Sequence, residues 1–530
     1  MKLETLVHMP DKIEAAAIHR VLERDVPLSR SVIWRLQREF YMQRGLKAWT
    51  EDMVPQYITN NPFITEIYAR IVADFFSDCA GHGDATSREN PLRILELGAG
   101  PGRFSYLFLR HLTALLRERN ISPQAVRYCM TDCAENAIQA WRENRYLAEF
   151  VATGNLEFAR FQVGDPIQLP FLDRKSGPLV VIANYVLDSL PQDAFVIHQG
   201  RLREALITTE SDAAQPAHGP EDFSRLRFSY QNADVSPDRY SDSAWNGILE
   251  IYRNRLTSAT VLFPSSALET LRELRERTDG SMMFLVADKG YTHEDALALC
   301  QRPPTIELHG PNCFSQMVNL DAIAKYFQAQ GGAAMLPDKH STGLNVCAFV
   351  QGRGSDRFPK TSVSYREAQE RIGPDDVFTL LAWLNAHMDE MSVPQVLSML
   401  RLTRWDPIAF SRVFPVLARQ IKSAPAEHHD LRTAVMKVWA NFYPVHPSEN
   451  AVAFQCGVVL TELGRFEEAL AMFQTSERIL GRSAATSFNM GLCSQSLGRL
   501  PEALAFMTEA CELDPAFEPA RAARLKLAGA

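Results

Sequence analysis

The stretch Ile94-Leu95-Glu96-Leu97-Gly98-Ala99-Gly100-Pro101-Gly102-Arg103-Phe104-Ser105 constrains the fold of this chain more than any other. An apolar run that ends in a glycine-rich turn and passes straight into a helical pattern reads as a buried strand feeding a helix, the start of a β-α unit. Glycine is required where the backbone takes positive φ, or where a Cβ would collide with something lying against the chain. From Leu92 onward, short apolar runs alternate with longer helical patterns, which predicts a largely parallel sheet of the α/β, Rossmann-like class. Candidate strands are Leu92–Leu97, Val126–Thr131, Leu156–Gln162, Leu179–Ala183 and Met282–Ala287, with a final strand pair that includes Leu344–Val350.

The glycine spacing is G-x-G-x-G. A dinucleotide fingerprint, G-x-G-x-x-G, would place its last glycine at position 103, where this chain has Arg103. That departure, with the acidic Glu96 ahead of the turn, favours a cationic, phosphate-free ligand over a pyrophosphate, and S-adenosylmethionine fits the description. Gly98, Gly100, Gly102 and Glu96 are therefore candidate cofactor-binding residues. Asp132 closes the second candidate strand, where a carboxylate can accept from both ribose hydroxyls; its alternative is a helix N-cap before Ala134. Asp165, after Gly164, can receive the adenine amino group; its alternative is a turn residue before Pro166. The fourth strand runs into Ala183-Asn184-Tyr185-Val186-Leu187-Asp188-Ser189-Leu190-Pro191. In an open parallel sheet the carboxyl ends of the strands line the ligand crevice, so Asn184 and Asp188 are the catalytic candidates: either could orient a nucleophile or take its proton. A satisfied turn is the plain alternative for Asp188.

Composition narrows the remaining classes. Apolar residues at 46% and charged residues at 22% describe a globular chain of 530 residues, long enough for at least two domains. No segment approaches the roughly 20 apolar residues of a membrane-spanning helix, and Met1-Lys2-Leu3-Glu4-Thr5 does not begin a secretory signal. The expectation is a cytoplasmic protein. A net charge of −8 gives no electrostatic footprint for nucleic acid. The nine cysteines lack paired spacing, so neither a metal site nor a disulfide framework is expected.

Residues 1–85 read mainly as helix, on patterns such as Ile64-Thr65-Glu66-Ile67-Tyr68-Ala69-Arg70-Ile71-Val72, and Gly81–Ser87 reads as a linker. Glu210–Ser243, rich in Asp, Ser, Pro and Gln, reads as an insertion or mobile loop. After Gln351-Gly352-Arg353-Gly354-Ser355 the β-type runs cease and helix follows helix. There the chain repeats itself at an offset of 34 residues: Phe454 with Phe488, Gly457 with Gly491, Leu463-Gly464-Arg465 with Leu497-Gly498-Arg499, and Glu468-Ala469-Leu470-Ala471 with Glu502-Ala503-Leu504-Ala505. This is the period of tetratricopeptide repeats, and Asp514-Pro515 ends the second helix of a unit where such a repeat would. The expected domains are a helical segment at 1–85, an α/β domain at 86–352, and an all-α tetratricopeptide-type domain at 370–530 with clear repeats at about 450–481 and 484–515. Degenerate units are expected within Asp375–Tyr443, because two repeats are too few to stack alone.

At these residues the chain resembles the MidA-type methyltransferases, the family that includes the mitochondrial complex I assembly methyltransferase. The resemblance rests on Glu96–Ser105 and on Ala183–Phe195, which is similar to that family's "ANEFLDALPV-x-x-F" segment. Val286-Ala287-Asp288-Lys289-Gly290-Tyr291 resembles its "-L-I-D-Y-G" strand end, while Phe40–Met42 and Tyr57–Pro62 echo its opening segment. Tyr185 stands where the family has an acidic residue, and its "A-H-V-D-F" is here Gln316-Met317-Val318-Asn319-Leu320. The resemblance covers residues 35–350 and implies a class I methyltransferase sheet and methylation of a protein side chain, with arginine the acceptor type. The repeats would recruit a protein partner. The other readings are a non-catalytic repeat scaffold or assembly factor, and a small-molecule methyltransferase.

Overall fold

The computed structural model describes residues 19–528 apart from 52–53, 55, 82–86, 88–89, 174–176, 213–221, 279, 311–312, 339–342, 353–357 and 371–372. Among the described residues the strands are, in chain order, β1 (His19–Pro27), β2 (Leu92–Leu97), β3 (Val126–Asp132), β4 (Leu156–Arg160), β5 (Leu179–Asn184), β6 (Asp193–His198), β7 (Arg201–Asp212), β8 (Leu226–Asp234), β9 (Ser258–Phe263) and β10 (Met282–Asp288). Short strands β11 (Gly290–Tyr291) to β14 (Val318–Asn319) follow, then β15 (Ala333–Met335) and β16 (Asn345–Gln351). The chain divides into two compact units.

The larger unit, Arg44–Val186 with Leu271–Gly290 and Phe327 onward, is built on a seven-stranded sheet in the order β15-β16-β10-β5-β2-β3-β4. β4, β3, β2, β5 and β10 are mutually parallel; β16 is antiparallel to β10, and β15 closes the sheet antiparallel to β16. Every residue of β2 and of β10 is buried, which is why these strands read as continuous apolar runs instead of alternating ones. The chain moves outward from β2 through β3 and β4, then returns to lay β5 along the other edge of β2. The strand order thus reverses at β2, and a ligand crevice is expected beyond the carboxyl ends of β2 and β5. The predicted strands all form, with β4 ending at Arg160 and not at Gln162.

Helices cover the sheet. Pro62–Gly81 and Arg103–Glu118 bury Tyr68, Phe75, Phe104 and Phe108 in a core shared with Tyr128 and Ile182. From Pro359 the described chain is helical to Ala528. The first of these helices, Pro359–Glu370, is capped from outside by Asp78, whose carboxylate accepts from the Thr361 backbone N at 2.9 Å and the Lys360 N at 3.3 Å. A second core joins Phe63 of the early helix to Val377, Phe410, Val435 and Phe473. The helical region therefore shares its interior with the sheet-bearing unit.

The repeated segments form two helix pairs, Val452–Glu462 with Phe466–Leu480 and Ala484–Ser496 with Leu500–Leu513. A Cβ on Gly457 would stand 2.7 Å from the Phe473 ring, and one on Gly491 2.7 Å from the Met507 methyl. Both members of each contact keep the 34-residue offset, so the repeat in sequence is a repeat in packing. Asp514 ends the last of these helices as expected.

The smaller unit, comprising its described residues up to Gln43 with Leu187–Thr270 and Tyr291–Tyr326, carries an antiparallel sheet, β1-β7-β6-β9, with β8 paired along β7. β6 and β7 form a hairpin whose two turn residues, Gln199 and Gly200, both take positive φ (50° and 74°), as a tight primed turn requires. This sheet corrects two expectations. The N-terminal segment is not wholly helical, since His19–Pro27 is a strand paired with β7. Glu210–Ser243 is not one loop: Leu226–Asp234 is a nine-residue strand along β7, and Ser243 opens a helix. The compact units also cut across the expected boundaries at 85 and 352, because the chain leaves the parallel sheet after β5 and returns at β10. The expected linker at 82–86, the break at 353–355 and the first residues of the chain lie outside the described residues.

Candidate functional site

The turn after β2 alternates left-handed glycines with ordinary residues. Gly98, Gly100 and Gly102 have φ of 63°, 54° and 82°, so a side chain at any of them would be strained. Space is also short: a Cβ on Gly98 would lie 2.9 Å from Val186 Cγ2, and one on Gly102 3.0 Å from both Met130 Cε and the Tyr443 hydroxyl. The turn is held from several sides. Ala99 N donates to Thr131 O (2.9 Å), Trp141 Nε1 to Gly100 O (2.9 Å), and the Tyr443 hydroxyl to Pro101 O (2.8 Å). The Trp49 ring lies against Gly100.

Two acids end adjacent strands beside this turn. Glu96 Oε2 accepts from Ser105 Oγ at 2.5 Å and from the Tyr128 hydroxyl at 2.8 Å. Burial nevertheless pushes its carboxyl up to about 7, since those two bonds offset only part of the desolvation. Asp132 divides its oxygens: Oδ2 accepts from Gly100 N (3.3 Å) and Oδ1 from Ala134 N (3.0 Å). Burial raises this carboxyl as well, opposed by the backbone donors. The capping alternative for Asp132 is thus half met: it holds the backbone of Ala134, itself the N-cap of Glu135–Glu143, with one oxygen and the glycine turn with the other.

Asn184 ends β5. Its Oδ1 accepts from the Tyr68 hydroxyl at 2.8 Å, while its Nδ2 is buried without a protein partner. A buried donor left unpaired costs about 1–3 kcal/mol, so this atom calls for an acceptor. The next residue, Tyr185, takes φ of 50°, rare for a bulky side chain, with its N donating to Ala287 O and its hydroxyl to Gly343 O. Strain of this kind concentrates at functional positions.

Asp165 is an exposed turn residue, its N bonded to Gln162 O, five residues beyond the end of β4. Asp188 belongs to the smaller unit, in the short helix Leu187–Ser189, and is buried. Its Oδ1 accepts from Ser189 Oγ at 3.0 Å and its backbone O from Gln316 N at 2.9 Å. The strip Cys313–Met317 is tied on both sides within that unit: Cys313 Sγ to the Tyr41 hydroxyl (3.1 Å), Phe314 N to Gln37 Oε1 (3.1 Å), and Met317 O to Gln192 Nε2 (3.3 Å). Burial, with Cys313 and then Asp188 adding to it, holds the Tyr41 phenol well above its ordinary value. Gln37 Nε2, Gln192 Oε1 and both amide atoms of Gln316 are buried without a protein partner.

The larger unit thus gathers Gly98, Gly100, Gly102, Glu96, Asp132 and Asn184 at the carboxyl ends of its strands, with Asp165 in an exposed turn beyond β4. Sequence reading missed Trp49, Tyr68, Trp141 and Tyr443, all of which reach the site from other elements. Arg103 alone carried a hint, as a bulky cation where a dinucleotide site keeps glycine.

Residues 72–307 match a family described as "Putative S-adenosyl-L-methionine-dependent methyltransferase". The chain is an S-adenosyl-L-methionine-dependent methyltransferase. Among solved structures, this methyltransferase is similar to an uncharacterized superfamily protein from Burkholderia thailandensis, at 16% identity over 63% of this chain and 89% of that one, with a TM-score of 0.41. A "likely methyl transferase from Burkholderia thailandensis bound to S-adenosyl-homocysteine" is 15% identical over the same shares, 63% and 89%, with a TM-score of 0.41. An O-methyltransferase family protein from the same organism is 11% identical over 63% of this chain and 67% of that one, with a TM-score of 0.27. No curated protein matches the chain.

The residues at the end of β2 suit this cofactor. Its two ribose hydroxyls need an acceptor, which Asp132 has lone pairs to supply, and Glu96 gives its cationic groups an acid beside the same turn. The Arg103 guanidinium is committed to Tyr443 O (3.0 Å) and to the Glu449 carboxylate, so it does not make the turn a phosphate site. Among the described residues, no group of His, Cys, Asp or Glu could hold a metal ion, no helix is long and apolar enough to cross a membrane, and no disulfide joins the cysteines.

Proposed function

We propose that this methyltransferase modifies a protein side chain, with an arginine nitrogen as the acceptor type, and that its 34-residue repeats, of the tetratricopeptide kind, recruit the protein that is methylated. In this reading the enzyme is of the MidA type and acts in the cytoplasm. The cofactor lies on the turn at Gly98, Gly100 and Gly102, with Asp132 accepting from the ribose hydroxyls, Glu96 facing the cationic end and Asp165 taking the adenine amino group. Bound there, S-adenosylmethionine supplies an electrophilic methyl group on a sulfonium and leaves as S-adenosylhomocysteine.

The chain's own contribution is mostly positioning. Asn184 Nδ2, the unpartnered donor at the end of β5, fixes a hydrogen-bond acceptor at the crevice. Asp188 orients the nucleophilic nitrogen and takes the proton it loses as the new N–C bond forms. The observation that carries a hydrogen-bonding acceptor is the buried Nδ2 of Asn184, a donor at the end of β5 with no protein partner. An apolar acceptor would leave it unsatisfied.

The test uses radiolabelled S-adenosylmethionine with arginine-bearing and lysine-bearing peptides and with cell protein fractions. Label on arginine is expected, and Asp188→Asn should lower turnover about 100-fold while leaving cofactor affinity unchanged. Label confined to small molecules, or full turnover in Asp188→Asn, contradicts the reading.

A further inference from the structure

Tyr443 stands far along the chain from the glycine turn, just before the first clear repeat helix, yet its hydroxyl is bonded to the turn itself. It donates to Pro101 O at 2.8 Å and accepts from Asn144 Nδ2 at 2.9 Å, with only 3% of the residue exposed. The same hydroxyl fills the space a Cβ would need at Gly102. Its ring packs between Tyr106 and Tyr146, with centroids at 5.3 and 5.4 Å. Arg103, the first residue of the helix after the turn, reaches back to the same segment: Nε donates to Tyr443 O at 3.0 Å and the guanidinium pairs with Glu449. Glu449 also accepts from Val445 N at 3.0 Å, which folds the 443–449 segment around the arginine.

We propose that Tyr443 is a positioning residue for the cofactor, and that the Tyr443–Arg103–Glu449 latch makes the helical C-terminal region a working part of the cofactor site. The Pro101 carbonyl lies between Gly100 and Gly102, so the tyrosine bond sets the peptide plane at the centre of a turn whose glycines have no side chains to restrain them. Arg103 occupies the position where a dinucleotide fingerprint carries its last glycine, and its charge is spent on Glu449. The turn is thereby given its shape from outside, by residues that contribute nothing to the sheet. This rests on the assignment of the turn as the cofactor site.

The experiment is calorimetric titration of the full chain with S-adenosylhomocysteine, comparing wild type with Tyr443→Phe, Glu449→Gln, Gly100→Asp and Arg432→Ala. The last breaks the Arg432–Glu468 pair within the helical region, away from the turn. Tyr443→Phe keeps the ring and removes the hydroxyl, so Kd is expected to rise about tenfold, the effect of losing one well-placed hydrogen bond, with a smaller rise for Glu449→Gln and none for Arg432→Ala. The indole N–H resonance of Trp141, which bonds Gly100 O, should shift in Tyr443→Phe and not in Arg432→Ala. Unchanged Kd in both Tyr443→Phe and Glu449→Gln overturns the proposal, as does an equal loss in Arg432→Ala, which would mark a general loss of stability. If Tyr443→Phe does not fold, Glu449→Gln alone decides. Failure of the site assignment is separate: it shows as full binding by Gly100→Asp or none by wild type.

Discussion

At the scale of single residues, Glu96 is the most informative position. Its carboxyl sits near 7 because burial outweighs the Ser105 and Tyr128 hydrogen bonds. Raised above its ordinary value of 4.5, it contributes stability that is fully present below pH 4.5 and is lost as the pH climbs through about 7. A cationic ligand reverses the preference, because it favours the ionised carboxylate. Cofactor affinity should therefore tighten between pH 6 and 8, with proton release on binding at the lower end, and Glu96→Gln should flatten that dependence. Titration in buffers of different ionisation enthalpy reads the proton directly; an unchanged pH profile in Glu96→Gln would remove Glu96 from the cofactor site. The residue type and its place before the turn were legible in sequence. The raised carboxyl was not, because its cause is burial by elements packed around it, which the Ser105 and Tyr128 hydrogen bonds only partly offset.

At the scale of elements, legibility followed burial on both faces. β2, β5 and β10 read clearly because a doubly covered parallel strand is a run of apolar residues bounded by turns. β8 was missed although Leu226-Arg227-Phe228-Ser229-Tyr230 alternates, since its half-exposed face carries enough polar residues to read as loop. The β6–β7 hairpin left only Gln199-Gly200, a weak turn signal beside an Asn-Gly pair. The helical repeat was plain because its register is internal to the chain. Its packing predicts an asymmetry: Gly457→Val drives a branched side chain into the rigid Phe473 ring, whereas Gly491→Val meets the flexible end of Met507. Gly457→Val should lose about 1–3 kcal/mol in urea unfolding, and Gly491→Val clearly less. Equal losses would mean that the two helix pairs do not pack as described.

At the scale of the whole molecule, the linear plan of three successive domains gives way to two interleaved units. The helical region and the parallel sheet share one unit, through Asp78 capping Pro359–Glu370, Phe63 in the helical core, and Tyr443 on the glycine turn. None of these links has a local sequence signature, since each joins residues hundreds of positions apart. The reversal of strand order at β2 is likewise a property of the folded chain, and it supports the proposal that the turn at Gly98–Gly102 holds the cofactor. Titration of the full chain with S-adenosylmethionine by calorimetry, beside a Gly100→Asp variant, tests this most directly. Micromolar binding by the wild type, abolished in Gly100→Asp, is the predicted result. A folded wild type that does not bind, or a Gly100→Asp variant that binds as well as wild type, would contradict it.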